Sequence, residues 1–221
     1  MKFPSKISSE LAEEIGWHIG DGSMNFYKNR GKLKGFYQLR GHIEDDKEHY
    51  EKRIKYLFKK LFDIEIRIRD MPSTRVVGFQ IWNDNLIEFK KKFGLPLGKK
   101  YEIAIPKELL VNINLKKAVI KGLFDTDGGI YLERKNKKLY PRMYITTISL
   151  KLSEQLLKLF EEMGLRATRH SQLYNKKFNR KRSYIITIRG VKMFHKFMKE
   201  INPQNPKHQR KYESFLNSQN L

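Results

Sequence analysis

The 221-residue chain contains no cysteine. That excludes disulfides, cysteine-ligated zinc and thiol catalysis, and it leaves a reducing compartment open. Long apolar runs are missing as well. Nothing approaches the ~20 residues of a membrane span, and the opening MKFPSKISSELAEEIG has no apolar signal core. The expectation is a soluble, intracellular (cytoplasmic) protein without a membrane partner. Histidines are few, at 18, 42, 49, 170, 195 and 208, and lack the paired spacing of a zinc set. Acidic residues are scarce beside basic ones, 24 against 46, giving a net charge of +22. That excess is larger than solubility requires and points to a polyanionic partner, nucleic acid first. A hydrophobic content of 39%, with 14 Phe and 11 Tyr, supplies a core and argues against disorder.

The chain also repeats itself. EIGWHIGDG at 14–22 aligns with IKGLFDTDG at 120–128, an offset of 106 residues. Each segment closes a helical pattern. Ser8 or Ser9 can cap the first helix and Asn112 or Asn114 the second, and an Asp-Gly pair stops both. After each Asp-Gly comes a hairpin around a basic tip, KNRGKLKG at 28–35 and KNKK at 135–138. Amphipathic helices follow at 45–62 and 153–164. Second hairpins pair IEIRIR (64–69) with RVVGFQIW (75–82), and RATRH (166–170) with SYIITIRG (183–190) across a basic tip at 173–182. Short helices at 84–93 and 191–201 close the units. The fold class read from this order is α+β: two pseudo-symmetric αββαββα halves, 1–105 and 106–221, each carrying an antiparallel β-saddle.

Small residues recur every four positions on both repeated helices: Ala12, Gly16 and Gly20 on the first, Ala118, Gly122 and Thr126 on the second. Such stripes let two helix backbones approach closely. Asp21 and Asp127 directly follow the stripes and would meet at the base of that interface. Two adjacent carboxylates repel unless a cation lies between them, and oxygen ligands that leave room for water suit Mg²⁺, with Mn²⁺ as a substitute. Gly20 and Thr126, immediately before the two acids, are the further candidate metal ligands.

Two motif copies with the same following elements resemble the LAGLIDADG homing endonuclease family, in its monomeric, two-motif, archaeal-type form. The resemblance covers nearly the whole chain. It implies a metal-dependent endonuclease that hydrolyses both strands of a long, near-palindromic or asymmetric double-stranded DNA target. It also implies a lysine near the end of each half that polarises water: Lys99 or Lys100 in GLPLGKK, and Lys207 in NPKHQRKYE. Glu14, His18 and Ile19 depart from the family pattern without touching the acid position. Asp125 has a family-like place, but its counterpart is Ile19, so it reads as structural.

Counting by twos from the acids puts Asn25, Tyr27 and Asn29, and Tyr131, Glu133 and Lys135, on the groove-facing side of the strands. Gln38, Arg40, Arg67, Arg69, Arg75 and Gln80 continue the first half. Arg142, Tyr144, Arg166, Thr168, His170, Thr187 and Arg189 continue the second, and the tips add Arg30, Lys32, Lys34, Lys137, Lys177, Arg180 and Arg182. The same fold could instead serve a cleavage-deficient DNA-binding regulator, or an RNA-splicing maturase with RNA as partner. A self-splicing intein fits less well than a free-standing, intron-encoded monomer, because the chain starts at Met, ends Asn-Leu and leaves no room for a splicing domain.

Overall fold

The structure, a computed structural model, describes residues 1–136, 138–172 and 182–219, with the side chain of Asn29 also left aside. The first motif helix, α1 (Ser9–Gly20), starts where the Ser8 hydroxyl accepts from the Leu11 N–H at 3.2 Å. The second, α5 (Ile113–Asp127), starts at Asn112, whose side-chain oxygen accepts from the Leu115 N–H at 3.0 Å. Both caps are of the type that orphan N–H groups require.

Each motif helix leads directly into a four-stranded antiparallel sheet. The first sheet contains β1 (Gly22–Asn29), β2 (Lys32–His42), β3 (Arg69–Met71) and β4 (Val76–Trp82), in the order β1-β2-β4-β3. The second contains β5 (Gly128–Lys135), β6 (Lys138–Thr147), β7 (Ala167–Gln172) and β8 (Ser183–Arg189), in the matching order β5-β6-β8-β7. Alternation sorts the faces: Tyr37, Leu39, Val77 and Phe79 are buried on one side of the first sheet, while Arg40, Gln80 and Trp82 are exposed on the other. Helices cover the apolar faces. One continuous helix over 43–62 comprises α2 (Ile43–His49), a π-helical turn (Tyr50–Ile54) and α3 (Lys55–Phe62). The others are α4 (Asp84–Lys91), α6 (Leu150–Glu162), α7 (Val191–Ile201) and α8 (Pro206–Gln219).

Two sequence expectations need correction. IEIRIR does not form a six-residue strand; the ladder holds only Arg69–Met71, paired with Gly78, Val77 and Val76. Its alternating isoleucines instead anchor an extended edge segment, with Ile66 buried and Ile64 and Ile68 packed on the core. Second, the chain does not end its regular structure at 201. Pro206 opens a further helix, as a proline at the first helical position can, and α8 docks through buried His208 and Phe215.

Candidate functional site

The motif helices approach so closely that side chains have no room between them. A Cβ on Gly16 would lie 2.8 Å from the Leu123 nitrogen and 3.0 Å from the Gly122 Cα. One on Gly122 would lie 2.9 Å from the Glu13 carbonyl carbon and 3.1 Å from the Trp17 nitrogen. One turn later, a Cβ on Gly20 would be 3.5 Å from the Asp127 carboxyl carbon. The small stripes therefore meet, and they bring Asp127 against the end of α1. Glu13 on α1, almost fully buried, ties the helices further: it accepts a two-armed contact from Arg53 at 2.7 and 2.9 Å and faces Lys121 of α5 at 3.0 Å.

Asp21 and Asp127 are half-buried at the ends of these helices. Burial pushes the Asp21 carboxyl well above its usual pKa, and the nearby charges of Asp127 and Asp46 add to the rise, while Lys100 and Lys207 oppose it. Asp127 is also raised by burial, against the pull of Lys100 and Lys207. Between the two alternatives in GLPLGKK, the structure brings Lys100 to the acids. Its ammonium donates to the carbonyls of Ile19 at 2.9 Å, His18 at 3.5 Å and Gly20. Lys99 is exposed beside the Tyr101 ring. Lys207 lines an open depression with Asp21, Arg40, Asp46, Arg75 and Thr126, and donates to Asp46 at 2.8 Å.

Asp46 and Asn205 were not singled out from the sequence. Asp46 is buried and accepts from the His42 N–H, the Asn205 amide and Lys207, each at 2.8 Å. Asn205 also donates to the Asp125 carbonyl at 2.9 Å. The Asp125 carboxylate accepts from the N–H groups of Gln204 and Asn205 at 3.0 Å, the structural position its mismatch with Ile19 suggested. Asp125 thus pins the turn that delivers Lys207. Its pKa is raised to about 7 by burial. The two prolines within NPQNP, Pro203 and Pro206, were the available signal for a rigid approach to the site.

The donor set suits a divalent cation that keeps much of its water. Among the described residues no three His, Cys, Asp or Glu side chains gather as a metal cage; two carboxylates with repelling charges do, which leaves the remaining positions to water and phosphate oxygens. The Gly20 carbonyl is engaged by Lys100, and the Thr126 hydroxyl donates back to Gly122 and Leu123 at 3.2 and 3.0 Å, so the carboxylates are the accessible ligands.

The register puts Asn25, Tyr27, Gln38, Arg40, Arg69 and Gln80 on the open face of the first sheet, with Arg67 lining a depression beside Arg69 and Gln80. Arg30 shapes the first tip in a left-handed conformation, φ 49°, between Asn29 and Lys32, and Lys34 is exposed on its return strand. Arg75 is held by Glu44 at 3.0 Å. Tyr131, Glu133, Lys135, Arg142, Tyr144, Thr168, His170, Thr187 and Arg189 share the second open face. There Glu133 is bound by Arg142 and Lys135, and Thr187 is nearly buried in the sheet. Arg166 and Arg182 are exposed at strand ends. Lys137, Lys177 and Arg180 lie outside the described residues.

Fold and site together define a single-chain, two-repeat protein in which twin helices carry an acid pair between two open β-saddles. Residues 114–202 match the family model for a LAGLIDADG-like domain. The DNA-and-Mn complex of I-DmoI aligns with 89% of this chain and 97% of that one at TM-score 0.63 and 20% identity. The DNA-bound LAGLIDADG meganuclease I-AabMI aligns with 92% and 88% at TM-score 0.54 and 11% identity. Residues 114–202 thus carry a LAGLIDADG-like domain, and the chain as a whole has the two-domain fold of I-DmoI. Among curated proteins, the replication factor C small subunit of Methanocaldococcus jannaschii is 27% identical over 98% of this chain. The Hel308 helicase of that organism is 32% identical over 47%, and its glutamine–fructose-6-phosphate aminotransferase 26% over 98%. This chain spans only 11%, 9% and 18% of those three proteins. No helix among the described residues is long and apolar enough to cross a membrane.

Proposed function

We propose that the protein is a site-specific DNA endonuclease that uses a divalent metal, Mg²⁺ or Mn²⁺, to hydrolyse one phosphodiester on each strand of a long duplex. The observation that carries this reading is the acid pair, Asp21 and Asp127, brought together at the base of a backbone-close helix interface with Lys100 and Lys207 beside it. The M. jannaschii relatives support it in a different way. Their names share no reaction, yet each contains, as a small fraction of its length, a stretch similar to this chain, to nearly all of it in two and to about half in the helicase, which fits a portable unit with an activity of its own.

In this mechanism the carboxylates hold the metal, which when bound supplies charge stabilisation at the scissile phosphate and lowers the pKa of water. Lys207, held by Asp46 with donors to spare, orients water for attack on phosphorus, and Lys100, its three donors spent on main-chain carbonyls, holds the end of α1 and sets its positive charge beside the acids. As water forms its bond to phosphorus it gives up a proton to solvent, the bond to the 3′ oxygen breaks, and that oxygen leaves with a proton from solvent. The two saddles place their open faces in the major groove on either side of the acids, as β-ribbon readers do. Incubation with a library of long duplexes, with and without Mg²⁺, followed by sequencing of cut ends, tests the proposal. Recurrent metal-dependent cut sites are expected. Sequence-selective binding without any cut would instead support the regulator reading.

A further inference from the structure

The open face of the first sheet carries three aromatic side chains that the core does not use. Tyr27 and Trp82 are 49% and 46% exposed, and Phe36 is half-buried between them. Phe36 stands opposite Trp82 in the β2–β4 register, with ring centroids 4.7 Å apart, and Tyr27 meets Phe36 edge-on at 5.7 Å. Core contacts do not explain them, since none belongs to the packed apolar cluster. Their neighbours Tyr37 and Ile81 take the opposite, inward face.

The pseudo-symmetry sharpens the point. Adding the repeat offset turns Tyr27 into Glu133 and Phe36 into Arg142, and the residue paired with Arg142 in the matching register is Arg189. At the same three places, one half presents a continuous apolar patch and the other a carboxylate and two guanidiniums. Cations border the patch: Arg67 and Arg69 share a depression with Trp82, and Lys34 is paired with Tyr27. An apolar patch bordered by positive charge, on the open face of a sheet, fits a polyanion that has apolar groups on its exposed edge. In the major groove the thymine C5-methyl is that group, whereas arginine forks match guanine O6 and N7.

We infer that the two half-sites are read by different chemistry at symmetry-related positions. The Tyr27–Phe36–Trp82 row contacts thymine methyls in one half-site, and Arg189, with Arg142, contacts guanine in the other. The row pairs with Asn25, four residues beyond Asp21, so it lies roughly 13 Å outward along the strand, or about four base-pair steps at ~3.4 Å each. This inference rests on the DNA-binding reading above and adds the base class.

The test is selection of bound duplexes from a randomised library in Ca²⁺, run once with thymine and once with uracil replacing every thymine. Uracil keeps the hydrogen-bonding edge and removes only the methyl. Thymine should be enriched in one half-site about four steps from the centre, and guanine at the mirrored positions of the other. In the uracil library the first preference should fall by about fourfold per methyl, with the guanine positions unchanged. Phe36→Ser and Trp82→Gln, both on the open face, should lose that same preference in the thymine library. Equal preference for thymine and uracil at those positions, or no preference there, would overturn the inference while leaving site-specific binding intact. Absence of any sequence-selective retention would remove the DNA-binding reading and this inference together.

Discussion

Asp21, Asp127 and Asp125 all hold their protons more tightly in the fold than in an unfolded chain, because burial disfavours the charge, joined by neighbouring carboxylates at Asp21 and Asp125. A carboxyl whose folded pKa is raised contributes stability that is complete below its unfolded value and is lost as pH rises through the folded one. Buried His18, His49 and His208 are held neutral, His49 with its pKa pushed down to about 4, so they oppose this trend only below the ordinary 6.5. From about pH 7.5 down to 6.5, the metal-free protein should therefore become more stable. Asp21→Asn and Asp127→Asn should each raise the melting midpoint at pH 7.5, since each unit of pKa shift is worth about 1.4 kcal/mol. Mg²⁺ should raise the wild-type midpoint and do less for either variant. Lower midpoints for both variants without metal would show that the carboxylates are compensated within the protein.

The motif helices, their caps, the hairpins other than the one expected from 64–69 and the face alternation were legible because each rests on a local pattern: period four for the small stripes, period two for the strands. The Gly16 and Gly122 positions leave no space for a side chain, so Gly16→Leu or Gly122→Leu should cost more than the ~1–3 kcal/mol of ordinary overpacking, measurable by chemical denaturation. Unchanged midpoints in both would mean the interface tolerates bulk. What the sequence hid depends on distant partners. The segment at 64–68 alternates like a strand yet has no ladder partner. Asp46 joins the site because Asn205 and Lys207, some 160 residues away, converge on it. Glu14, an outlier in its motif, is buried 2.6 Å from the ammonium of Lys90, also buried, whereas the repeat-related position is Ile120. Lys90→Leu should strand the Glu14 charge and cost about 3–5 kcal/mol, and Glu14→Leu in the same chain should recover most of it. A double variant as unstable as the single would show that the pair supports the core in another way.

At the scale of the whole molecule, 46 basic residues against 24 acidic ones and two open saddles set the interaction with a polyanion. Binding to duplex DNA should weaken by about 10³-fold or more between 50 and 200 mM salt, as expected when six or more phosphates are neutralised. A nearly flat salt response would show that phosphate contacts do not dominate. Under the proposed function, the acids between the saddles decide whether binding leads to cutting. The measurement is made on a supercoiled plasmid carrying a selected target, followed through nicked and linear forms with Mg²⁺, beside a binding assay in Ca²⁺. Wild type should linearise the plasmid. Asp21→Asn and Asp127→Asn should each abolish linearisation while retaining binding, because asparagine keeps the shape and removes the charge that holds the ion. Nicked product from one variant would mean that the two strands use partly separate metals, and loss of both cuts would mean a shared one. Full linearisation by both variants would contradict the assignment of catalysis to this acid pair.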